Sequence, residues 1–273
     1  MKIARITAHN LVNIPIQPPP FRKVPNVESA LMIAVETDDG IVGWSVAGYA
    51  HPVMINFINR QVAPLLVGEN PLLIERVRLK MQKQFNERSL GRVFTTALAT
   101  IDIALWDIKG KALGMPVHHL LGGANDRIPV YITHGAAYHG APIYSVEELA
   151  AEAAHLVELG NRHLKNTVGR QVEGPNPDDD YVRMKAMRDA VGPDISLAMD
   201  GNSRMTSAQA VRLCRLTEEL NISFLEEPVL ENDPLLLAEL RSKTIIPIAA
   251  AENHKYFSRD LLSAGAVDIL QPN

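Results

Sequence analysis

The sequence predicts two parts of different fold class: an α+β unit over residues 1–125 and, over residues 126–273, a strand-helix array of the TIM-barrel type. Three observations carry that expectation. Strand patterns at the start give way to helical ones and do not return before residue 125. From about Ile128, apolar strand-like runs alternate with helical runs, as in a parallel sheet whose crossovers are helices. Three of those runs end in an acid, Asp200, Glu226 and Glu252, at equal spacings of 226 − 200 = 26 and 252 − 226 = 26 residues. One strand, one helix and two short loops need about that length, so the spacing marks a repeated βα unit.

In the first unit, residues 1 to about 12 alternate as a strand does. Pro15, Pro18, Pro19, Pro20 and Pro25 follow; proline gives a sheet no amide donor, so this stretch reads as a loop. Two readings of it stay open, a lid carrying Phe21, Arg22 and Lys23 or a plain surface connection. Residues 29–37 and 41–47 read as strands joined by Asp38-Asp39-Gly40, a strong hairpin signal. Helices come next. Leu73, Val77, Leu79 and Met81 suggest one, and Ala97, Ile101, Leu105 and Ile108 predict a long one over about Phe94 to Leu113, stopped by Gly114 and Pro116.

In the second unit the expected strands are 128–133, 162–168, 195–200, 222–226, 245–250 and 267–271, with helices near 146–159, 179–190, 207–219, 234–241 and 257–263. Six parallel strands fit either an open doubly wound sheet or most of a barrel. The barrel is preferred. No glycine-rich nucleotide loop follows any strand, and acids sit at strand C-terminal ends, where barrel enzymes place their chemistry.

Composition excludes several other classes. A chain of 273 residues, 47% hydrophobic with a net charge of −4, is expected to be globular, with neither a nucleic-acid nor a membrane partner. The single cysteine, Cys214, rules out an internal disulfide or a multi-cysteine metal site and reads as a buried small residue. The start lacks a long apolar run of the signal-peptide kind, and no run reaches the roughly 20 residues that span a bilayer. The expected location is the cytoplasm.

If consecutive strands are neighbours, the three acids converge. Like charges about 4 Å apart repel by roughly 4 kcal/mol at an effective dielectric near 20, so three need protons or a cation. A hard divalent cation with oxygen ligands is the simplest answer. Strand parity puts Lys165 and Thr167 on one face and Leu164, Asn166 and Val168 on the other, which aims Lys165 into the barrel, where its charge would neutralise a substrate carboxylate. Asn202 could bond a ligand or only cap a turn. His51, His134, His139, His163 and His254 read as structural, although His254 lies two residues from Glu252.

Taken together, Ile101-Asp102-Ile103-Ala104-Leu105-Trp106-Asp107-Ile108-Lys109-Gly110-Lys111, Leu120-Leu121-Gly122-Gly123, Asp200-Gly201-Asn202, Phe224-Leu225-Glu226-Glu227-Pro228 and Ala251-Glu252-Asn253 resemble the enolase superfamily, in particular its mandelate racemase and muconate lactonizing enzyme group. The resemblance implies an α+β capping domain and a modified (β/α)7β barrel, here apparently truncated after the sixth strand. It implies Mg²⁺ on Asp200, Glu226 and Glu252, and an enediolate formed from a carboxylate substrate. Lys165 matches the first lysine of the Lys-x-Lys motif, as a catalytic residue; Tyr49 and His51 lie where such capping domains supply substrate contacts. Members commonly assemble as symmetric homo-oligomers.

Two departures shape the expected activity. Thr167 replaces the second lysine, often a base, and a neutral hydroxyl is a poor base at pH 7. Asn273 stands where the sixth-strand aspartate is expected, and the strand that would carry the histidine base is not in the sequence. An open barrel exposes strand edges, so the chain is a piece of a longer one, or a partner closes it, or it is defective; the first is favoured. The preferred activity is dehydration of a sugar acid. Epimerisation or racemisation, or metal and sugar-acid binding without catalysis by an inactive truncated homologue, are the alternatives.

Overall fold

The structure, a computed structural model, describes residues 1–16, 26–47, 52–85, 91–135, 143–171, 173–252 and 258–272. Two compact units divide it, and the chain passes from the first to the second between Ile128 and Pro129.

In the first unit, β1 (Ile3–Ile16), β2 (Asn26–Thr37) and β3 (Val42–Ala47) form an antiparallel sheet in sequential order. Alternation works as expected: Leu31, Ile33 and Val35 are buried on one face of β2. β1 is longer than its sequence suggests. It continues through Pro15, paired with Val27, beyond an irregularity between Leu11 and Ile14 where Asn13 takes a φ of 55°. The long helix runs over Arg92–Leu113 and ends at Gly114, whose left-handed φ of 62° closes the last turn. Its apolar face, Ala97, Ile101, Ala104, Leu105 and Ile108, is buried. β3 lies close to this helix at Gly43, where an added Cβ would come within 2.1 Å of the Ala104 carbonyl oxygen. The helix Ile74–Gln84 buries Ile74, Val77 and Met81, but Leu73 and Leu79 stay exposed, so only part of the stripe read from the sequence faces the core.

The second unit is a six-stranded parallel sheet in the order β4 (Ile132–His134), β5 (His163–Thr167), β6 (Ser196–Asp200), β7 (Ile222–Glu226), β8 (Ile248–Ala250) and β9 (Ile269–Leu270). Sequential order with a helix in each crossover is the arrangement of successive barrel strands. The helices are Val146–Glu158, Pro177–Val191, Ser207–Thr217, Pro234–Arg241 and Ser258–Ser263. Local chemistry starts most of them. Ser145 and Thr206 make reciprocal capping boxes with Glu148 and Gln209, while Asn176 and Asp233 cap helices that open on Pro177 and Pro234. The core joins the helix-facing strand residues Leu164, Leu197, Met199, Leu225 and Ile248 to Leu149, Met184, Leu213, Leu237 and Leu261. β4 is shorter than expected, because Ile128 and Val130 lie exposed ahead of it. Cys214 is buried in this core, which pushes its thiol up to about 11. Among the described residues, no helix is long and apolar enough to cross a membrane.

Candidate active site

Main-chain geometry fixes where the acids stand. β6 stops at Asp200 because Gly201 turns the chain against the next loop; a Cβ on Gly201 would lie 2.9 Å from the Glu227 oxygen and 2.9 Å from the Pro228 Cα. Backbone bonds stitch the two loops together, from Gly201 N to Glu226 O at 2.8 Å and from Ser203 N to Glu227 O at 2.7 Å. β7 stops at Glu226 because Glu227 takes a φ of 40° and Pro228 carries no amide donor.

Register then brings the side chains together. Thr167 pairs with Asp200 and Asp200 with Glu226, so Lys165, Thr167, Asp200 and Glu226 share one face of three neighbouring strands. The Lys165 ammonium donates to Glu226 Oε2 at 2.5 Å and lies 3.0 Å from Asp200 Oδ2. Beside it, the Tyr131 hydroxyl accepts at 3.5 Å, with the ring centroid 4.9 Å from Nζ. Gln271, just past β9, donates to the same hydroxyl at 3.2 Å. The second Asp200 oxygen accepts from Asn202 N at 3.0 Å and Nδ2 at 2.7 Å.

The electrostatics leave acids in excess. Among the described residues, four carboxylates, Asp200, Glu226, Glu227 and Glu252, belong to this strand end, and one ammonium, that of Lys165, lies among them. Burial raises the Asp200 carboxyl above its ordinary range, against the pull of Lys165, and Glu226 adds to the rise. Burial also raises Glu252, as do the charges of Glu227, Glu226 and Asp200 and a hydrogen bond with Glu226. For Lys165, burial works to strip the charge, but Asp200 and Glu226 outweigh it and raise the ammonium above the usual lysine value. An all-oxygen donor set with surplus negative charge fits a hard divalent cation and no soft one.

The residues read from the sequence fall as follows. Lys165, Asp200 and Glu226 come into direct contact. Glu252 lies two residues beyond the end of β8, half-buried and within the field of the other acids. Among the described residues, only His118, His119 and Asp126 bring three candidate ligand atoms all within 4.8 Å of one another, so at least one pair of the three acids is wider than that, and Lys165 Nζ bridges Asp200 and Glu226. Asn202, exposed and with a φ of 46°, turns its amide back onto Asp200. Tyr49, His51, His139 and His254, like Phe21, Arg22, Lys23 and Asn273, lie outside the described residues. His163 is exposed. His134 pairs in register with Asn166, on the face opposite Lys165, and its Nδ1 lies 3.3 Å from Glu152. Tyr131, Gln271 and Glu227 are additions the sequence did not single out. Tyr131 was legible in principle, two residues before Thr133 on an alternating strand, but Gln271 gains its meaning only from the pairing of β8 with β9.

Known proteins resemble this chain in sequence and fold. Residues 148–273 match the family described as enolase C-terminal domain-like, and residues 7–122 match the mandelate racemase / muconate lactonizing enzyme N-terminal domain. An arabinonate dehydratase of Saccharolobus solfataricus is 33% identical over 245 residues, covering 87% of this chain and 63% of its own. An N-succinyl-L-Arg/Lys racemase of Bacillus cereus is 32% identical over 235 residues, covering 83% and 59%. The chain thus spans about three fifths of the length of these curated relatives. A mandelate racemase/muconate lactonizing enzyme from a marine actinobacterium, solved in complex with magnesium, superposes with a TM-score of 0.78 at 31% identity, covering 100% of this chain and 73% of that one.

Proposed function

The chain belongs to the mandelate racemase and muconate lactonizing enzyme group of the enolase superfamily, and from that premise we propose that its strand-end acids serve a Mg²⁺-dependent dehydration of a sugar acid. The observation that supports this most is the Lys165 ammonium bridging Asp200 and Glu226 on the face they share. Asp200, Glu226 and Glu252 are the residues that would hold Mg²⁺. Once bound, the ion supplies a Lewis acid beside the substrate carboxylate, where negative charge accumulates as the α-proton leaves.

The chain's own residues orient the substrate and stabilise its charge, and the base that takes the α-proton is none of Lys165, Thr167 and His134. Lys165 keeps its proton at neutral pH and presents a fixed positive charge to a substrate carboxylate oxygen, so it stabilises the enediolate without moving a proton. Tyr131 accepts from that ammonium, and Gln271 donates to the Tyr131 hydroxyl and so holds the phenol in place. Thr167 stands on the same face, where a second lysine would act as base, and its hydroxyl does not take a carbon-bound proton at pH 7. His134 is turned to the opposite face and does not replace it. A pair of opposed bases, which racemisation needs, therefore lacks one member on this face. Dehydration needs the α-proton removed once and the β-hydroxyl lost as water, so it asks less of Thr167. Two of the relatives carry the two activities in their names, a dehydratase and a racemase.

Exchange of solvent deuterium into the α-carbon of a panel of sugar acids, with Mg²⁺ present, tests the reading. Exchange accompanied by release of water is the expected result. A folded protein with Mg²⁺ bound that exchanges no acid in the panel overturns catalysis and leaves the second reading, metal and sugar-acid binding without turnover, which Thr167 favours.

A further inference from the structure

The first unit carries a different cluster of ligand-type atoms, and it is built locally. His118 and His119 lie on the short helix Val117–Leu120, after which Gly122 and Gly123 take left-handed φ values of 111° and 59°. The turn is tied to the histidines' own backbone, from Gly123 N to His118 O at 2.8 Å and from Gly122 N to His119 O at 3.1 Å. It returns the chain so that Asp126 Oδ1 lies 3.9 Å from His118 Nε2 and 4.0 Å from His119 Nε2. The two rings meet edge to face with centroids 4.3 Å apart. Neighbouring residues on a helix normally diverge by about 100°. Here both imidazoles turn to one oxygen.

These separations are too long for hydrogen bonds and short enough for one ion. Zinc takes imidazole nitrogen and carboxylate oxygen at about 2.0–2.2 Å, so ligand atoms around it lie roughly 3.4 Å apart. Closing 3.9 and 4.0 Å to that value moves each atom by about half an ångström, which exposed side chains reach by torsion alone. The side chains are 51%, 47% and 86% exposed, so no packing opposes the movement and the fourth position faces water.

We infer that His118, His119 and Asp126 form a surface site for a divalent transition ion of the zinc class, separate from the strand-end acids. Two imidazoles and one carboxylate are a borderline donor set, which favours Zn²⁺ over Mg²⁺. The all-oxygen acid cluster has the reverse preference. Proton competition follows from the ligands, since an imidazole binds a metal ion only through an unprotonated ring nitrogen.

The test is calorimetric titration of Zn²⁺ into the full chain held in excess Mg²⁺, which occupies the acid cluster first. One equivalent is expected to bind at pH 7.5. The doubly substituted His118→Gln/His119→Gln protein should lose that equivalent, and Asp126→Asn should weaken it by about tenfold or more. Circular dichroism of the variants should match the parent, since the side chains are exposed. At pH 5.5 binding to the parent should fall by at least about tenfold. Absence of Zn²⁺ binding above the Mg²⁺ background, or equal stoichiometry and affinity in parent and double variant, overturns the site.

Discussion

The strand-end acids of the second unit and the histidine pair of the first solve opposite problems. Asp200 and Glu226 are buried, drawn from separate strands by register, and hold more negative charge than one ammonium offsets. His118, His119 and Asp126 are exposed, come from nine consecutive residues, and create no charge deficit that folding must resolve. The difference teaches that burial makes a cation a matter of stability as well as chemistry, while exposure leaves it a matter of affinity alone.

The sharpest way to break the comparison is to neutralise one buried acid. Glu226→Gln should lose about a thousandfold in turnover of any acid the protein dehydrates, and at least tenfold in Mg²⁺ affinity. Steady-state rates beside a Mg²⁺ titration check this, and a variant that binds Mg²⁺ normally and turns over would remove Glu226 from the ligand set. Next in size is Lys165→Met. Without its ammonium, Asp200 and Glu226 face each other uncompensated, and stability in chelator should fall by about 3 kcal/mol. Denaturant melts should show Mg²⁺ restoring more to this variant than it adds to the parent; equal gains would mean that ammonium and ion do not compete for the same acids.

Asp180 sharpens the comparison with a third solution, since this buried acid is held by hydrogen-bond donors and takes up a proton more readily than an exposed one. Burial pushes its carboxyl up to about 6, although Gln171 and the Gly169 amide donate to it. The unfolded chain releases this proton near pH 4. Between about 4 and 6 the native form keeps a proton that the unfolded form has lost, so this group's contribution to stability falls as pH rises through that window, by about 2 kcal/mol. Asp180→Asn should remove that slope, and the difference between parent and variant melts taken across the window isolates it. Parallel curves would place the acid's titration elsewhere. The smallest effect belongs to the surface. His118→Gln/His119→Gln should leave the melting temperature in chelator unchanged within error, and a clear drop would mean that the imidazoles carry structural contacts.

Sequence made the buried site more legible than the exposed one. Equal spacing and strand parity placed Lys165, Asp200 and Glu226 on one face, because parallel register follows from regular βα repeats. The helix starts at Thr206, Asp233 and Pro234 rest on local chemistry alone. Less legible was the Lys165 bridge, which depends on how far a four-carbon chain reaches between two strands. Tyr131 and Gln271, 140 residues apart, meet only after the sheet has formed. The histidine pair escaped notice although it is local, because its convergence depends on two consecutive left-handed glycines, a conformation that composition permits without requiring. In the first unit, Leu73 and Leu79 fit the helical period yet face water, since periodicity identifies a stripe and packing decides its width.

The buried site's need for a divalent ion is open to one direct measurement. Calorimetric titration of Mg²⁺ into the chelator-treated chain should show one equivalent bound, absent or weakened by about a hundredfold in Asp200→Asn. No Mg²⁺ binding by the folded parent, or unchanged binding in Asp200→Asn, would contradict it.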